Sequence, residues 1–478
     1  MPSNLPRFVL HGLLAGALAL QVSCSAGSSG ARRQQATGGL AQGGNLAMAT
    51  FRATALAAIR QPVTTTKLGL AILWHRPREI ISGNLPADTT PQPVLAEAPG
   101  SREFEDLLDR KRFPRAESGS LRWLVDGSRF FPELDRQIAA ARHSINIQVF
   151  IFDNDDIAVR YADQLKRRSA EVPVHVLFDD FGSSGSYSAA PATPGPRGFV
   201  PPSDMHAYLR DHSQVRARRV LNPWLACDHT KLLVFDQRTA ILGGMNIGRE
   251  YYSEWHDLMV RVEGPVVGTL SGEFSRAWRK AGPAGDFALL WKPAVFRRPA
   301  PLADGIPLRV LRTDPAEGRH EILNASLLAI RGARKRIWIE NPYIAHDDIV
   351  RAVEAAARRG VDVRVIIPRV GDSSIMDAGN LATANGLIRA GAKVFQYPKM
   401  THLKVMICDG WATFGSANLD TLSMRINREL NLAFSHRAAV QELEKAVFLP
   451  DFRRSTRASL AQTGSVADGI AETIADQL

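Results

Sequence analysis

The sequence predicts an α/β protein of two duplicated lobes, each a mixed sheet with a large parallel part flanked by helices, sharing one active site at a pseudo-twofold interface. Three observations predict this. Strands alternate with helices past Ser118, the alternation runs through the chain twice, and each copy reaches the same spaced His, Lys and Asp residues. Composition agrees: of 478 residues 45% are hydrophobic and 22% charged, which excludes a mostly disordered, collagen-like or polytopic membrane chain.

The chain opens with Arg7, an apolar run from Phe8 to Leu20, and small residues from Ser23 to Gly27. That run is too short to span a bilayer and suits the core of an export signal. Leu20-Gln21-Val22-Ser23-Cys24 is similar to a bacterial lipoprotein cleavage site, making Cys24 a candidate for lipidation. Residues 1–26 are therefore read as an export signal. Residues 27–118, rich in Gly, Gln, Ala, Pro and Thr, read as a linker and lead-in with short helices expected at Leu46 to Arg60 and Phe104 to Lys111. The first lobe is placed at 119–290, the second at 291–450 and a C-terminal tail at 451–478. No later segment has the length and apolarity of a transmembrane helix.

Within the first lobe, Phe131, Leu134, Ile138 and Ala141 recur at helical spacing before a strand that ends at Phe152; Leu323, Leu327 and Ile330 do the same before Tyr343. A second helix follows in each copy, Ile157 to Arg168 and Asp348 to Arg359. A second apolar strand comes next, Val174 to Phe178 and Val361 to Ile367. This order implies a largely parallel sheet in each lobe. The first copy is longer by a Gly/Ser/Pro/Ala stretch, Gly182 to Ser203, which reads as a disordered excursion or a lid over the site.

Basic residues number 59 against 48 acidic, a net charge of +11 that favours an anionic partner. Only 11 of the 59 are lysine, so a position that uses lysine departs from the habit of this chain. Three cysteines, Cys24, Cys227 and Cys408, exclude a disulfide framework, and no C-x-x-C pair offers a zinc site. Cys227 and Cys408 read as buried packing thiols.

The chemistry sits in His229-Thr-Lys231-Leu-Leu-Val-Phe-Asp236 and His402-Leu-Lys404-Val-Met-Ile-Cys-Asp409, at equivalent points of the duplication. Gly243-Gly244-Met-Asn246 and Gly415-Ser416-Ala-Asn418 follow, and the acids Asp257 and Glu429 come equally far beyond each Asn. Alternation on a strand sends His229 and Lys231 to one face, and likewise His402 and Lys404. With the halves packed about a twofold axis, two histidines face each other with two lysines beside them, a phosphodiester site that needs no metal or cofactor. One imidazole attacks phosphorus and the other handles the proton. Asp257 and Glu429 suit the task of fixing the tautomers, and the Asn amides can donate to equatorial oxygens. Asp236 and Asp409 complete the candidate set with Ser416, although their place at strand ends suits a turn brace. The remaining histidines, His256 among them, read as ordinary core or surface residues.

These paired motifs resemble those of the phospholipase D superfamily, and Val125-Asp126-Gly127, Gly243 to Tyr251, Val262 to Pro265, Asn341-Pro342-Tyr343 and Gly415 to Asp420 are similar to its bacterial cardiolipin synthase branch. The resemblance runs from about Leu121 to Phe434. It implies a phosphohistidine intermediate, with His229 as nucleophile and His402 as general acid/base; Tyr251 and Tyr343, with Gly182 to Ser203, are candidate walls of a substrate pocket that must exclude water and hold the acceptor hydroxyl. It implies transfer of a phosphatidyl group between membrane lipids. The expected partners are an anionic phospholipid such as phosphatidylglycerol and a membrane surface, with no obligate protein partner and without nucleic acid. The expected location is the bacterial cell envelope, periplasmic, peripheral or lipoprotein-anchored. The chain departs from that branch at Gly244, where serine is common, at Thr230 between His and Lys, and in a second motif one residue shorter between Asp409 and Gly415. Alternatives are a phospholipase D hydrolase, a nuclease of the same superfamily, and a silent lipid-binding protein, which two complete motifs disfavour.

Overall fold

The computed structural model describes residues 53–83, 94–184, 191, 193–290, 299–300 and 302–460. The expected export signal, Cys24, part of the Gly182 to Ser203 stretch and the end of the tail lie outside these residues. The lead-in holds more structure than its composition suggests. A helical turn over residues 53–60 runs through Gln61 into α1 (Pro62–Gly83).

In the first lobe, α2 (Gly127–Ala140) turns Phe130, Phe131, Leu134 and Ile138 to the core, as the helical spacing requires. Helix α3 (Asp156–Arg168) is set by its ends. The Asp155 carboxylate accepts the Ala158 amide at 2.8 Å, and Lys166, Arg167 and Arg168 occupy the last turn, where the helix dipole favours cations.

Strands β1 (Glu117–Val125), β2 (Ile145–Val149), β3 (Val174–Asp179), β4 (Arg216–Val220), β5 (Leu232–Phe235), β6 (Thr239–Gly243) and β7 (Leu258–Glu263) build the first lobe in the order β1-β7-β6-β5-β2-β3-β4. The second lobe uses β8 (Ile306–Asp314), the short β9 (Arg319–His320), β10 (Arg336–Glu340), β11 (Asp362–Pro368), β12 (Lys393–Tyr397), β13 (Val405–Cys408), β14 (Trp411–Gly415), β15 (Glu429–Phe434) and β16 (Thr456–Arg457). Its order, β8-β15-β14-β13-β10-β11-β12-β16, repeats that of the first lobe and adds one edge strand. The lobes meet where β1 and β8 pair antiparallel, Ser118 opposite Pro307. Two copies of one sheet thus form a continuous structure about a pseudo-twofold axis.

The sheets are less parallel than expected. Parallel pairing is confined to β2, β3 and β4 and to β10, β11 and β12. The motif strands and those beyond them pair antiparallel, because β5 returns to β6 and β13 to β14 through tight turns, whereas parallel neighbours need a crossover. The turns also explain the length difference between the motifs. Phe235 pairs with Thr239 across three residues, and Cys408 pairs with Trp411 across Asp409-Gly410, a two-residue turn of the composition favoured in hairpins.

Both motif strands are buried on both faces. Leu232 and Val234 of β5 join Val405 and Ile407 of β13 in a core shared by the lobes, which includes Val266, Val267 and Leu270 of α4 (Val266–Lys280). The alternate residues Leu233 and Phe235 face the first lobe's own core, and Met406 and Cys408 that of the second. The strands are apolar throughout for this reason, and a charged residue could appear only at their ends. Residues 451–457, expected to begin a tail, are integrated: Asp451 is buried and β16 pairs with β12.

Candidate active site

The His-x-Lys triplets were expected within strands, but β5 begins at Leu232 and β13 at Val405. The residues before them are extended and pair with the opposite lobe. The His229 amide donates to the Arg428 carbonyl (2.9 Å) and the Arg428 amide to the Cys227 carbonyl (2.8 Å). Equivalently, the His256 amide donates to the Met400 carbonyl (2.9 Å) and the His402 amide to the His256 carbonyl (2.7 Å). Each histidine is therefore stitched by its backbone beside the other lobe's acid. Nδ1 of His229 lies 2.9 Å from Oε1 of Glu429, and Nδ1 of His402 lies 2.7 Å from Oδ2 of Asp257.

A carboxylate that accepts from Nδ1–H fixes the tautomer whose Nε2 is unprotonated and nucleophilic. Both histidines line one narrow cavity of about 70 Å³, together with Asn246, Asn418, Tyr251 and Tyr343. Aromatic rings hold the imidazoles: Phe150 meets His229 edge-on at 4.8 Å, and Tyr251 and Trp255 flank His402 at 5.7 and 5.2 Å.

Each lysine curls back on its own motif. Lys231 Nζ donates to the His229 carbonyl at 2.8 Å and Lys404 Nζ to the His402 carbonyl at 2.6 Å. Burial pulls Lys231 down to about 7 and Lys404 to about 8, and burial together with the two ammonium charges holds both histidines well below their ordinary range. Burial raises Asp257 and Glu429 to about 7, against the pull of the lysines. An anion entering here would meet two poorly solvated ammonium groups and would stabilise their protonated forms.

The two asparagines differ. Oδ1 of Asn246 accepts the Phe150 and Ile151 amides at 3.1 and 3.0 Å and Nδ2 donates to the Tyr251 hydroxyl at 2.8 Å, so this side chain mainly braces the cavity wall. Oδ1 of Asn418 is buried without a hydrogen-bond partner. Ser416 Oγ donates to Oε2 of Glu429 and accepts the Leu430 amide at 3.0 Å, so it supports the acid that holds His229.

Asp236 and Asp409 do not line the cavity. The Asp236 carboxylate accepts the Arg142, His143 and Ser144 amides, and Asp409 accepts those of Arg334, Lys335 and Arg336. Each adopts a left-handed conformation, φ 54° and 49°, at the hairpin end of its motif strand and ties that turn to the loop before the neighbouring strand. Their equal spacing from the histidine in the two motifs is the length of a strand. None of the described residues of Gly182 to Ser203 lines the cavity. Ser183 instead fixes Phe150 by donating to its carbonyl at 3.0 Å.

Gly244, the departure noted in the first motif, has a steric reason. A Cβ there would lie 2.2 Å from Oδ1 of Asp257. The Asp257 carboxylate occupies the space that a side chain at position 244 would need, and its Oδ1 accepts the Leu258 amide at 2.7 Å.

Several residues at the site carried no signal on their own. Asp372 and Asp420 line the cavity, raised by burial to about 6 and about 7; Tyr343 donates to Asp372, and the Ser423 amide to Asp420 at 2.7 Å. Behind the histidines stand two related ionic groups, each built on the cation immediately before an orienting acid. Arg428 pairs with Asp228, which also accepts from Gln148. His256 donates to Asp126 at 2.6 Å and Asp451 at 3.0 Å, while Thr401 donates to the nearby Glu340. The signal for both was the basic residue preceding Glu429 and Asp257. Ligand atoms of His256, Glu340 and Asp451 lie within 4.8 Å of one another, a spacing that could hold a metal ion. Both ring nitrogens of His256 already face carboxylates, so the group closes on itself as an ion cluster.

Two carboxylate-held histidines facing one cavity, each with a buried lysine two residues further on, on a duplicated mixed α/β fold, define a phosphodiester enzyme, and the chain belongs to the phospholipase D superfamily. The family described as "Cardiolipin synthase, PLD-like domain" matches residues 134–278 and 327–447, one span in each lobe. Cardiolipin synthase A of Pseudomonas entomophila (strain L48) is 32% identical over 380 residues, 74% of this chain and 74% of that protein. Cardiolipin synthase A of Pseudomonas fluorescens (strain SBW25) is 32% identical over 358 residues, 71% of this chain and 70% of that protein. Among solved structures, phosphatidylserine synthase of Haemophilus influenzae Rd KW20 superposes with a TM-score of 0.59 at 12% identity, covering 78% of this chain and 96% of that one. At that identity the likeness is one of fold.

Proposed function

We propose that this enzyme is a phosphatidyltransferase that works through a phosphohistidine and makes cardiolipin from anionic phospholipid, phosphatidylglycerol being the donor. The observation that carries this reading is the crossed pairing of His229 with Glu429 and of His402 with Asp257 around one cavity. The negative charge of the bound phosphodiester raises His402, which takes up a proton from solvent at Nε2; Nε2 of His229 then attacks phosphorus, forming an N–P bond as the P–O bond to the leaving glycerol breaks, and His402 gives that alkoxide its Nε2 proton. A second lipid then loses its hydroxyl proton to His402 and attacks phosphorus, and the N–P bond breaks. Lys231 and Lys404 offset the charge of the pentacoordinate phosphorus, so turnover should persist in a chelator on a soluble phosphodiester. The exchange of one phosphodiester for another is nearly neutral in free energy and needs no nucleotide. Envelope location with Cys24 as a lipid anchor fits this substrate.

The test is incubation with phosphatidylglycerol vesicles and mass spectrometry of the products. Cardiolipin and free glycerol are expected. Phosphatidic acid as the sole product would make the enzyme a hydrolase, and DNA cleavage without lipid turnover would make it a nuclease. Acid quench with labelled substrate should leave label on the peptide containing His229; label on that of His402 would reverse the two roles.

A further inference from the structure

Helix α1 is apolar on two opposite faces. Leu68 and Ile72 pack inward on Leu225, Ala226, Leu422 and Ile426. Facing away from the protein, Ile59, Val63, Leu70, Leu73 and Trp74 are 78, 51, 63, 63 and 58% exposed, a stripe at helical spacing. A surface of this kind is normally covered. Trp224, shortly before the first motif, lies beside it, 45% exposed, with Nε1 donating to the Thr65 carbonyl at 2.9 Å. Gly69 is in contact with its ring, where a Cβ would lie 3.1 Å from Nε1.

Charge and position indicate what covers the stripe. From Ala53 to Trp74 the sequence has Arg60 and Lys67 and no Asp or Glu. Next to the first turn, Arg60, Arg210, Arg216 and Arg218 line a groove of about 1190 Å³. Leu422, packed with the inner face of α1, also lines the catalytic cavity. No helix among the described residues is long and apolar enough to cross a membrane. Pairing the stripe with the same stripe of a second copy would set Arg60 and Lys67 against like charges.

We infer that the outer face of residues 56–74, with Trp224, docks in the plane of an anionic bilayer and brings the catalytic opening to the lipid surface. This rests on the phospholipid reading above and adds the surface that meets the membrane. Apolar side chains enter the headgroup boundary while the basic residues meet anionic lipid.

The test uses the full chain carrying Cys24→Ser, so that no anchor at that position masks the contact. Sedimentation with vesicles of phosphatidylglycerol and phosphatidylethanolamine should show binding that Leu70→Glu/Leu73→Glu weakens at least tenfold, with an unchanged thermal midpoint. Equal binding by this variant would overturn the inference. So would a self-associating Cys24→Ser protein that the double substitution renders monomeric in sedimentation velocity, since the stripe would then be a subunit interface. A fluorophore on Leu70→Cys should shift to the blue only when vesicles are added; a blue-shifted emission without them would mean that the chain covers the stripe itself. The two readings fail separately. Stripe-dependent vesicle binding without lipid products would leave the docking surface and remove the transferase, whereas cardiolipin formation in detergent micelles with stripe-independent vesicle binding would do the reverse.

Discussion

Nδ1 of His229 donates to Oε1 of Glu429 across a gap of 200 residues, and Nδ1 of His402 donates to Oδ2 of Asp257 across 145. Neither lobe holds its own histidine, so a separated lobe would contain an unoriented imidazole and an unpaired acid. The catalytic geometry exists only when the two duplicates pack.

Glu429→Gln and Asp257→Asn should lower kcat by roughly 10²- to 10⁴-fold with KM changed only a few-fold, because an amide no longer fixes the tautomer while substrate contacts remain. Steady-state kinetics on a soluble phosphodiester checks this split. A fall confined to KM would show that these acids contact substrate instead of orienting histidine.

Gly244→Ala should lower kcat about tenfold or more by displacing Asp257, whose Oδ1 would lie 2.2 Å from the new Cβ. Its effect should largely disappear in an Asp257→Asn background, since both substitutions disturb the same histidine. Full additivity of the two losses would refute the steric account.

Asp236→Ala should cost about 2 kcal/mol of stability through the loss of charge-assisted bonds to backbone amides, with kcat of the folded protein near that of the parent. Those amides hold the Asp236 carboxyl below its ordinary value in spite of burial, so its contribution is present above that value and fades as pH falls through the lower, folded one. Urea unfolding at two pH values measures it. A collapse of kcat in fully folded variant would return Asp236 to the catalytic set.

The alkaline limb of kcat/KM should fall near pH 7 to 8, where burial places Lys231 and Lys404, well below an ordinary lysine. Below those values the free enzyme presents two cations to the phosphodiester; above them it presents neutral amines. A profile flat to pH 10 would show that the lysines are not the groups that titrate.

His256→Gln should destabilise the fold by about 3 kcal/mol near neutral pH, since it removes the cation among buried carboxylates. Burial lowers His256, but its bonds to Asp126 and Asp451 prevail and raise it to about 10. A raised folded value means that the stabilisation is complete below the ordinary histidine value and is lost as pH rises through about 10. The stability difference between His256→Gln and the parent should therefore shrink at high pH; a constant difference would make His256 a packing residue.

The duplication, both helices of each repeat and the His, Lys, Asn and acid series were legible in the chain, because periodic apolar spacing and a twice-used motif are properties of order along the sequence. The same linear reading overestimated parallel pairing, because the hairpin returns from β5 to β6 and from β13 to β14 set antiparallel neighbours, while the strand-end place of Asp236 and Asp409 already suited the turn brace that the structure shows. It passed over α1 in a lead-in whose Gly, Gln, Ala, Pro and Thr content suggested a linker, and over Asp372 and the ion clusters of His256 and Arg428, whose partners come from remote segments. Which acid serves which histidine was decided by tertiary structure alone. Every residue of the site is written into its own lobe, but the backbone pairing of Cys227 to His229 with Arg428, and of Met400 to His402 with His256, carries each acid across the pseudo-twofold axis to the opposite histidine.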